Sequence, residues 1–343
     1  MPSSSDARAR VLASWVDGWR RVLAAPAITL AVLITTLLTA LPLALVVGDR
    51  IESDLGRSAQ ATAAADGWNA GWVAEFGARS EGVARTFTHE IVGFGATLAT
   101  LSRFVDADSL DLAILTAVGV YVLVWMFLWG GILDRFARQR PIRAAAFFGA
   151  CGVYFGRFLR LALFVGPLYW AVVAWMHPLL FDTVYDWWTR DLTVEREAVV
   201  LRAVLYIVFL GALGLVGLIA DFAKVRTVVE DRRSMLGAFL ASWRFVRRRP
   251  VRLAGLYLLN VLALAVVVIA WSAAAPGAST SPVAAFAAAQ LYLLVRIWTR
   301  LALAAAEVAF FQGELAHASY AAAPLPVWPD SPTVEGLRNL RQI

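Results

Sequence analysis

Charge, cysteine and histidine are all scarce in this chain. Asp, Glu, Lys and Arg make up only 16% of its 343 residues, where a soluble domain carries about a quarter, and the mean hydropathy is +0.67. Water is thereby excluded as the solvent for most of the polypeptide. One cysteine, Cys151, rules out an intramolecular disulfide and any multi-cysteine metal site, and reads as a small buried apolar residue. His89, His177 and His317 are too scattered to frame a metal site, and no His-Glu pair has zincin spacing. No glycine-rich phosphate loop ends in Lys-Ser or Lys-Thr, and there is no Gly-x-Ser-x-Gly turn. No cofactor and no metal are expected. The net charge of +6 and pI near 9.9 would suit nucleic acid only with a basic soluble domain, and none is visible, so no nucleic-acid partner is expected.

What the chain does have is long apolar stretches. A helix needs roughly 20 apolar residues to cross a bilayer core about 30 Å thick. Six stretches approach or meet that length: Ala27 to Val47, Leu112 to Leu133, Leu159 to Trp175, Val199 to Ala220, Leu253 to Ala274, and Val283 to about Phe311. The third is the shortest, and Pro167 interrupts it. The first is longer than the apolar region of a cleaved signal peptide and reads as a retained span.

Basic residues gather in alternate connections. Arg8, Arg10, Arg20 and Arg21 precede span one, while Arg135, Arg138, Arg140, Arg143 and Arg157 separate spans two and three. Lys224, Arg226, Arg232, Arg233, Arg244 and Arg247 to Arg249 separate spans four and five. Between spans one and two the acids Asp49, Glu52, Asp54, Asp66, Glu75, Glu81, Glu90, Asp106, Asp108 and Asp111 dominate. The positive-inside rule then places both termini in the cytoplasm.

An internal repeat organises these spans. Val11, Leu12, Trp15, Trp19 and Val22 lead into span one, and Leu236, Phe239, Leu240, Trp243 and Val246 lead into span five, both at helical spacing. Trp19-Arg20-Arg21-Val22 followed by Pro26 matches Trp243-Arg244-Phe245-Val246 followed by Pro250. The middle unit, with Phe147, Cys151, Tyr154 and Phe158 on one face beside Arg143 and Arg157, lacks both the Trp and the Pro. The expected fold is an all-α polytopic bundle of about six spans in three two-helix repeats, each preceded by an amphipathic elbow helix in the cytoplasmic interface. The boundaries read 1–26 for the N-terminus and elbow, 27–133 for the first repeat with its outer loop 49–111, 134–226 for the second, 227–313 for the third, and 314–343 for a Pro-rich cytoplasmic tail.

Trp68, Trp72 and Phe76, then Phe87, Ile91, Phe94 and Leu98, predict amphipathic helices in the first outer loop, forming a cap that serves as lid or docking surface. Residues 179–190 read as a second outer loop with the aromatic-belt residues Tyr185, Trp187 and Trp188, and Thr193 as the cap of the following helix. Pro324, Pro326, Pro329 and Pro332 around Trp328 favour an extended tail, either a docked strap or a ligand for a partner.

The most specific polar recurrence is an acid near the end of each second span: Asp134, Asp221 and Glu307. Arg296, Arg300 and Glu307 fall within about 40 degrees of one another on the last span. An unpaired Arg at bilayer depth costs at least about 2.5 to 3.5 kcal/mol, so Arg296, about 20 Å along the helix from Pro282, is expected to face the bundle. Asp134 and Asp221 are the candidate partners of Arg300, and Asn260, a backbone carbonyl or water those of Arg296. Such pairs would lock the repeats together; the other reading is a substrate or proton path. Arg244, Arg247, Arg248, Arg249 and Arg252 form a basic elbow facing anionic lipid headgroups. Gly211, Gly214 and Gly217 suit close helix contact, and Thr35, Thr36 and Thr39 either line a cavity or bond to their own helix.

The segments Trp129-Gly-Gly-Ile-Leu-Asp134, Phe155-Gly-Arg-Phe-Leu-Arg160, Gly313-Glu-Leu-Ala-His317 and Trp328-Pro-Asp-Ser-Pro332 resemble an uncharacterised family of bacterial polytopic membrane proteins. More distantly, the elbow-and-two-spans pattern is similar to the membrane domain attached to some bacterial glycerophosphodiester phosphodiesterases. That resemblance implies fold and location but no active site, since the enzyme's metal-binding His and Glu motif is missing here. The leading functional expectation is a non-enzymatic membrane scaffold or accessory subunit, with partners at the outer loop or tail. A transporter or permease for a lipid, amphiphile or small solute is the alternative, and an intramembrane enzyme the third reading. A scaffold calls for Arg296 paired inside a closed bundle, a transporter for a wet cavity at the midplane exposing Arg296, and an enzyme for titratable groups converging in one pocket.

Overall fold

Apolar runs of this length leave the backbone no hydrogen-bond partner but its own helix, and the computed structural model is accordingly helical, with no strand among the described residues. It describes residues 4–65, 69–82, 84, 87, 112–192, 194–276 and 280–315. The helices are α1 (Ser4–Leu23), α2 (Pro26–Leu55), α3 (Ala61–Ala65), α4 (Ala70–Arg79), α5 (Leu112–Arg138), α6 (Ala144–Ala171), α7 (Tyr185–Thr189), α8 (Glu195–Val229), α9 (Met235–Arg248), α10 (Pro250–Ala274) and α11 (Pro282–Glu314). Five helices are long and apolar enough to cross a membrane: Pro26–Leu55, Gly119–Arg138, Ala144–Thr189, Glu195–Val229 and Pro250–Ala274. The chain is a multi-pass membrane protein.

The helix at the centre is α11, which is not one of those five. It packs against α1, α2, α5, α8 and α10. Its second half is buried all round, from Leu301 through Gln312 with only Leu303 partly open. Alanines make this possible, because Ala302, Ala304, Ala305, Ala306 and Ala309 let neighbouring backbones approach. α1 approaches most closely. A Cβ placed on Gly18 would lie 2.6 Å from the Ala306 nitrogen and 2.8 Å from the Ala302 oxygen.

Two elbows share one geometry. α1 gives way to α2 at Ala25 (φ −136°, ψ 53°), and α9 to α10 at Arg249 (φ −138°, ψ 40°), each immediately before a proline at the first turn of the next helix. The expected middle unit has no such break. α6 runs continuously through Phe147, Cys151, Tyr154 and Phe158, so the elbow expected ahead of span three is the first part of one long helix. Without a proline nothing stops it. Pro167 sits inside α6 without ending it, and π-helical turns at Val172–Met176 and Leu179–Val184 carry the rod to Thr189. The stretch 179–190 is therefore largely helix where the sequence suggested a loop.

Each elbow helix packs one face on the bundle and leaves a second apolar face outward. α9 buries Met235, Phe239, Phe245 and Val246 while Leu236, Leu240 and Trp243 stay exposed. α1 buries Val11 and Val22 and exposes Leu12 and Val16, and its Trp15 and Trp19 continue a ring stack to Trp298 of α11. At the opposite end, α4 packs Trp72, Val73 and Phe76 with Ile51 and Leu55 of α2 and with Phe87. Trp72 donates its indole N–H to Asp54 at 3.0 Å, and Asn69 caps α4. Trp68, Ile91, Phe94, Leu98, Asp66, Glu90, Asp106, Asp108, Asp111, Thr193 and the tail from residue 316, with Trp328 and its prolines, lie outside the described residues, as do His89 and His317 and the Arg8 side chain.

Candidate functional site

α5 and α6 pack closely because α5 presents two glycines. A Cβ on Gly130 would lie 3.0 Å from the Ala150 oxygen, and one on Gly131 would lie 2.7 Å from Cys151 Sγ and the Phe147 ring. Above this crossing the two helices diverge around a groove of about 470 Å³, closed from behind by α8 and α11. Tyr121, Trp125, Met126 and Trp129 of α5 form one wall; Phe158, Leu161, Val165 and Tyr169 of α6 form the other. Val122 and Gly166 at the rim are exposed, so the groove opens sideways. From Tyr121 to Trp129 it extends about 12 Å along the helix axis.

Polar groups gather toward the Trp129 end of this apolar slot, and Arg300 reaches from there along the aromatic wall to Tyr121. Asp221 and Lys224 of α8 and Arg300 of α11 line both the groove and an adjoining pocket of about 140 Å³, which Glu307 also lines. The Arg300 guanidinium lies 3.9 Å from the Trp125 ring centre and 5.8 Å from that of Trp129, and donates to the Tyr121 hydroxyl at 3.3 Å. Among the described residues no carboxylate is within ion-pair distance of it. Arg300 is exposed, and the aromatic faces that hold its positive charge contribute about 0.5 to 1 kcal/mol in such a setting. Lys224 pairs with Asp221 at 2.5 Å and lies over the Trp129 ring. The Tyr257 hydroxyl of α10 lies 3.1 Å from Asp221 and also contacts the buried Glu307.

The five residues of the charged stripe are thus divided. Asp221, Glu307 and Arg300 come together around one cavity. Asp134 pairs with Arg138 on its own helix at 2.7 Å, and Arg296 is exposed with its guanidinium over the Tyr292 ring, lining neither cavity, so it does not face the bundle as expected and meets neither the pairing a scaffold calls for nor the cavity exposure a transporter calls for. Asn260 is buried, and its side-chain oxygen accepts no hydrogen bond. The basic elbow divides as well. Arg249 and Arg252 donate to Glu314 at 2.6 and 2.8 Å, whereas Arg244, Arg247 and Arg248 are exposed.

Within the stripe, Tyr257 joins Asp221 to Glu307 and Arg300 reaches Tyr121, and further ties between helices distant in sequence come from residues outside it. Arg21 of α1 donates to Asp17, to the Phe136 carbonyl and to Gln312, and Gln312 donates to the Ala137 carbonyl at 3.0 Å. Burial lowers the pKa of Arg21, and the charge of Asp17 opposes the shift. Arg135 reaches the Ala24 carbonyl at 3.0 Å, and Arg157 pairs with Asp231 at 2.5 Å. Thr35, Thr36 and Thr39 bond to carbonyls of their own helix. Gly211 and Gly214 face open space, and only Gly217 meets a neighbour, the Tyr169 hydroxyl. Close helix contact runs through Gly18, Gly130 and Gly131 instead.

Sequence reasoning did not single out Tyr257, Tyr121 or Trp125 for the site. For Tyr257 the available signal was a tyrosine hydroxyl in an apolar helix one turn before Asn260. Among the described residues no three His, Cys, Asp or Glu side chains gather as metal ligands would. No family model, curated protein or solved structure matches the chain.

Proposed function

We propose that this protein is a six-span protein of the bacterial inner membrane, built from three two-helix repeats, that holds an amphiphile in the groove between α5 and α6 as a carrier or transporter does. The supporting observation is the groove itself: an apolar, laterally open slot whose one polar end presents Arg300, a cation on aromatic faces with no acid partner. A volume of about 470 Å³ lies within the range of small-molecule sites, roughly 300 to 1,000 Å³. A sideways opening suits a ligand that arrives from the lipid.

In this reading α11 is the sixth span. Counted from Pro282, Arg300 lies about 27 Å along it, near the cytoplasmic boundary, so the headgroup sits at the inner interface and the tail runs up the aromatic wall. The matched backbone at Ala25 and Arg249 favours equivalent elbows in the first and third repeats. Leu236, Leu240 and Trp243, beside the exposed Arg244, Arg247 and Arg248, would rest on anionic headgroups.

A scaffold is the second reading. It is favoured by α2, a 30-residue helix that buries only Ile28 and Val32 and exposes Leu30, Ile34, Leu38, Leu41 and Leu45. An enzyme ranks below both. Asp221, Lys224, Tyr257 and Glu307 converge, but they bond with one another and present no activated nucleophile.

Native mass spectrometry of protein released from its own membranes tests the carrier reading. One retained amphiphile per protein is expected, lost in Arg300→Gln, which keeps most of the side chain's packing. Equal retention by Arg300→Gln would refute the assignment.

A further inference from the structure

The polar end of the groove contains more oxygen contacts than protons on its phenol. Tyr257 Oη is 3.1 Å from Asp221 Oδ2 and also within hydrogen-bond contact of Glu307 Oε1. A phenol has one proton to donate, so the second contact needs a proton on a carboxyl group. Asp221 already accepts from the Lys224 ammonium at 2.5 Å. Glu307 is buried and has no cation within ion-pair distance among the described residues, so the second proton belongs to it. The order of donation is then Glu307 to Tyr257 to Asp221.

The charge count follows. Lys224 and Asp221 cancel, Glu307 is neutral, and the positive charge of Arg300 is left over in a cavity that all four line or approach. We propose that this site takes a headgroup of single negative charge, a carboxylate or phosphodiester, and does so only while Glu307 carries its proton. The proposal rests on the groove being an amphiphile site. Deprotonating Glu307 adds a second carboxylate to the wall and cancels the surplus, so anion affinity falls as pH rises.

The groups facing Glu307 are few. α8 brings Asp221 and Lys224, α10 brings Tyr257, and α11 itself brings Arg300. α5 turns Trp129 and Leu133 to the same pocket, with Asp134 engaged by Arg138. The α1 charges Asp17 and Arg21 pair with each other, Arg21 also donates to Gln312, and α2 packs through the apolar Ile28 and Val32.

The test is a titration of the full chain in phosphatidylcholine nanodiscs with decanesulfonate, from about pH 5 to about pH 9, where the sulfonate stays ionised and arginine stays charged. Affinity is expected to fall on the order of tenfold to a hundredfold as pH rises, the loss when a like charge appears within one cavity. Glu307→Gln should keep the low-pH affinity throughout. In weak buffer the wild type should take up as much as one proton per sulfonate bound near the midpoint of that fall, a readout that needs no variant. Two results would overturn the proton requirement: wild-type affinity that is flat with pH, or Glu307→Gln following the wild-type curve. Equal binding of decyltrimethylammonium would overturn the anion assignment, and no binding of either probe at any pH would remove the groove reading itself. Adding phosphatidylglycerol to the discs separates the two sources of such a headgroup. Displacement of the sulfonate assigns the site to a membrane phospholipid, and its retention assigns it to a free single-chain amphiphile.

Discussion

Individual side chains in this bundle are matched to partners according to how deeply they lie. Glu314, at the end of α11, accepts from both Arg249 and Arg252, and its side chain is only 6% exposed. The two arginines are 22% and 23% exposed, so solvent screens part of the attraction. Glu314→Gln leaves the two guanidinium groups facing one neutral amide. It is expected to cost about 2 kcal/mol, less than the roughly 3 to 5 kcal/mol of breaking a fully buried pair, because solvent screens the arginines. Thermal unfolding in micelles measures this, and an unchanged transition would show that Glu314 ties nothing together. Arg300 follows another logic, since aromatic faces and a tyrosine hydroxyl take the place of an acid. That substitution was not legible in the sequence. A charge in an apolar helix predicts that a partner exists, but an acid and an aromatic cage satisfy the same requirement. The chain carries 14 tryptophans at no fixed spacing from Arg300, which leaves the choice between them open.

Helices show the same division between what periodicity reveals and what only packing decides. The elbows at Ala25 and Arg249 were readable because proline removes a backbone donor and crowds the residue before it, a local effect. The continuous run of α6 through its expected elbow follows from the same rule, given the missing proline. Helix crossings are different. Gly211 and Gly214 look like contact glycines yet face open space, while Gly18 and Gly130 meet backbone atoms of other helices, and a one-dimensional pattern cannot tell these apart. The difference can be measured. Gly18→Val drives a side chain into the Ala302 and Ala306 backbone, which cannot yield as a flexible side chain would, so α1 should detach or the fold lose about 2 to 4 kcal/mol. Gly152→Ala, with nothing within 4 Å, should leave stability unchanged or slightly raised. Equal effects of the two, read by protease sensitivity of the α1 segment and by thermal unfolding, would contradict the packing of α1 on α11.

Across the molecule, burial is arranged for two solvents. A wet surface would not leave Leu30, Leu38 and Leu45 on α2, or Leu258, Val261, Val266 and Ile269 on α10, facing outward, whereas lipid accepts them at no cost. Among the described residues most of the buried polar side chains with partners lie on α1, α5, α8 and α11, toward the elbow end. There the cavity at Arg300 is the place where charge, aromatic walls and a lateral opening coincide. A membrane protein of this kind is therefore described best by what occupies that groove. Photolabelling in intact membranes with a diazirine-bearing fatty acid, followed by peptide mapping, asks this directly. The account predicts adducts concentrated on the facing segments of α5 and α6 around Trp125, Met126, Val165 and Tyr169, and their loss in Arg300→Gln. Adducts spread evenly over the outward faces of α2 and α10, unchanged by that substitution, would contradict it.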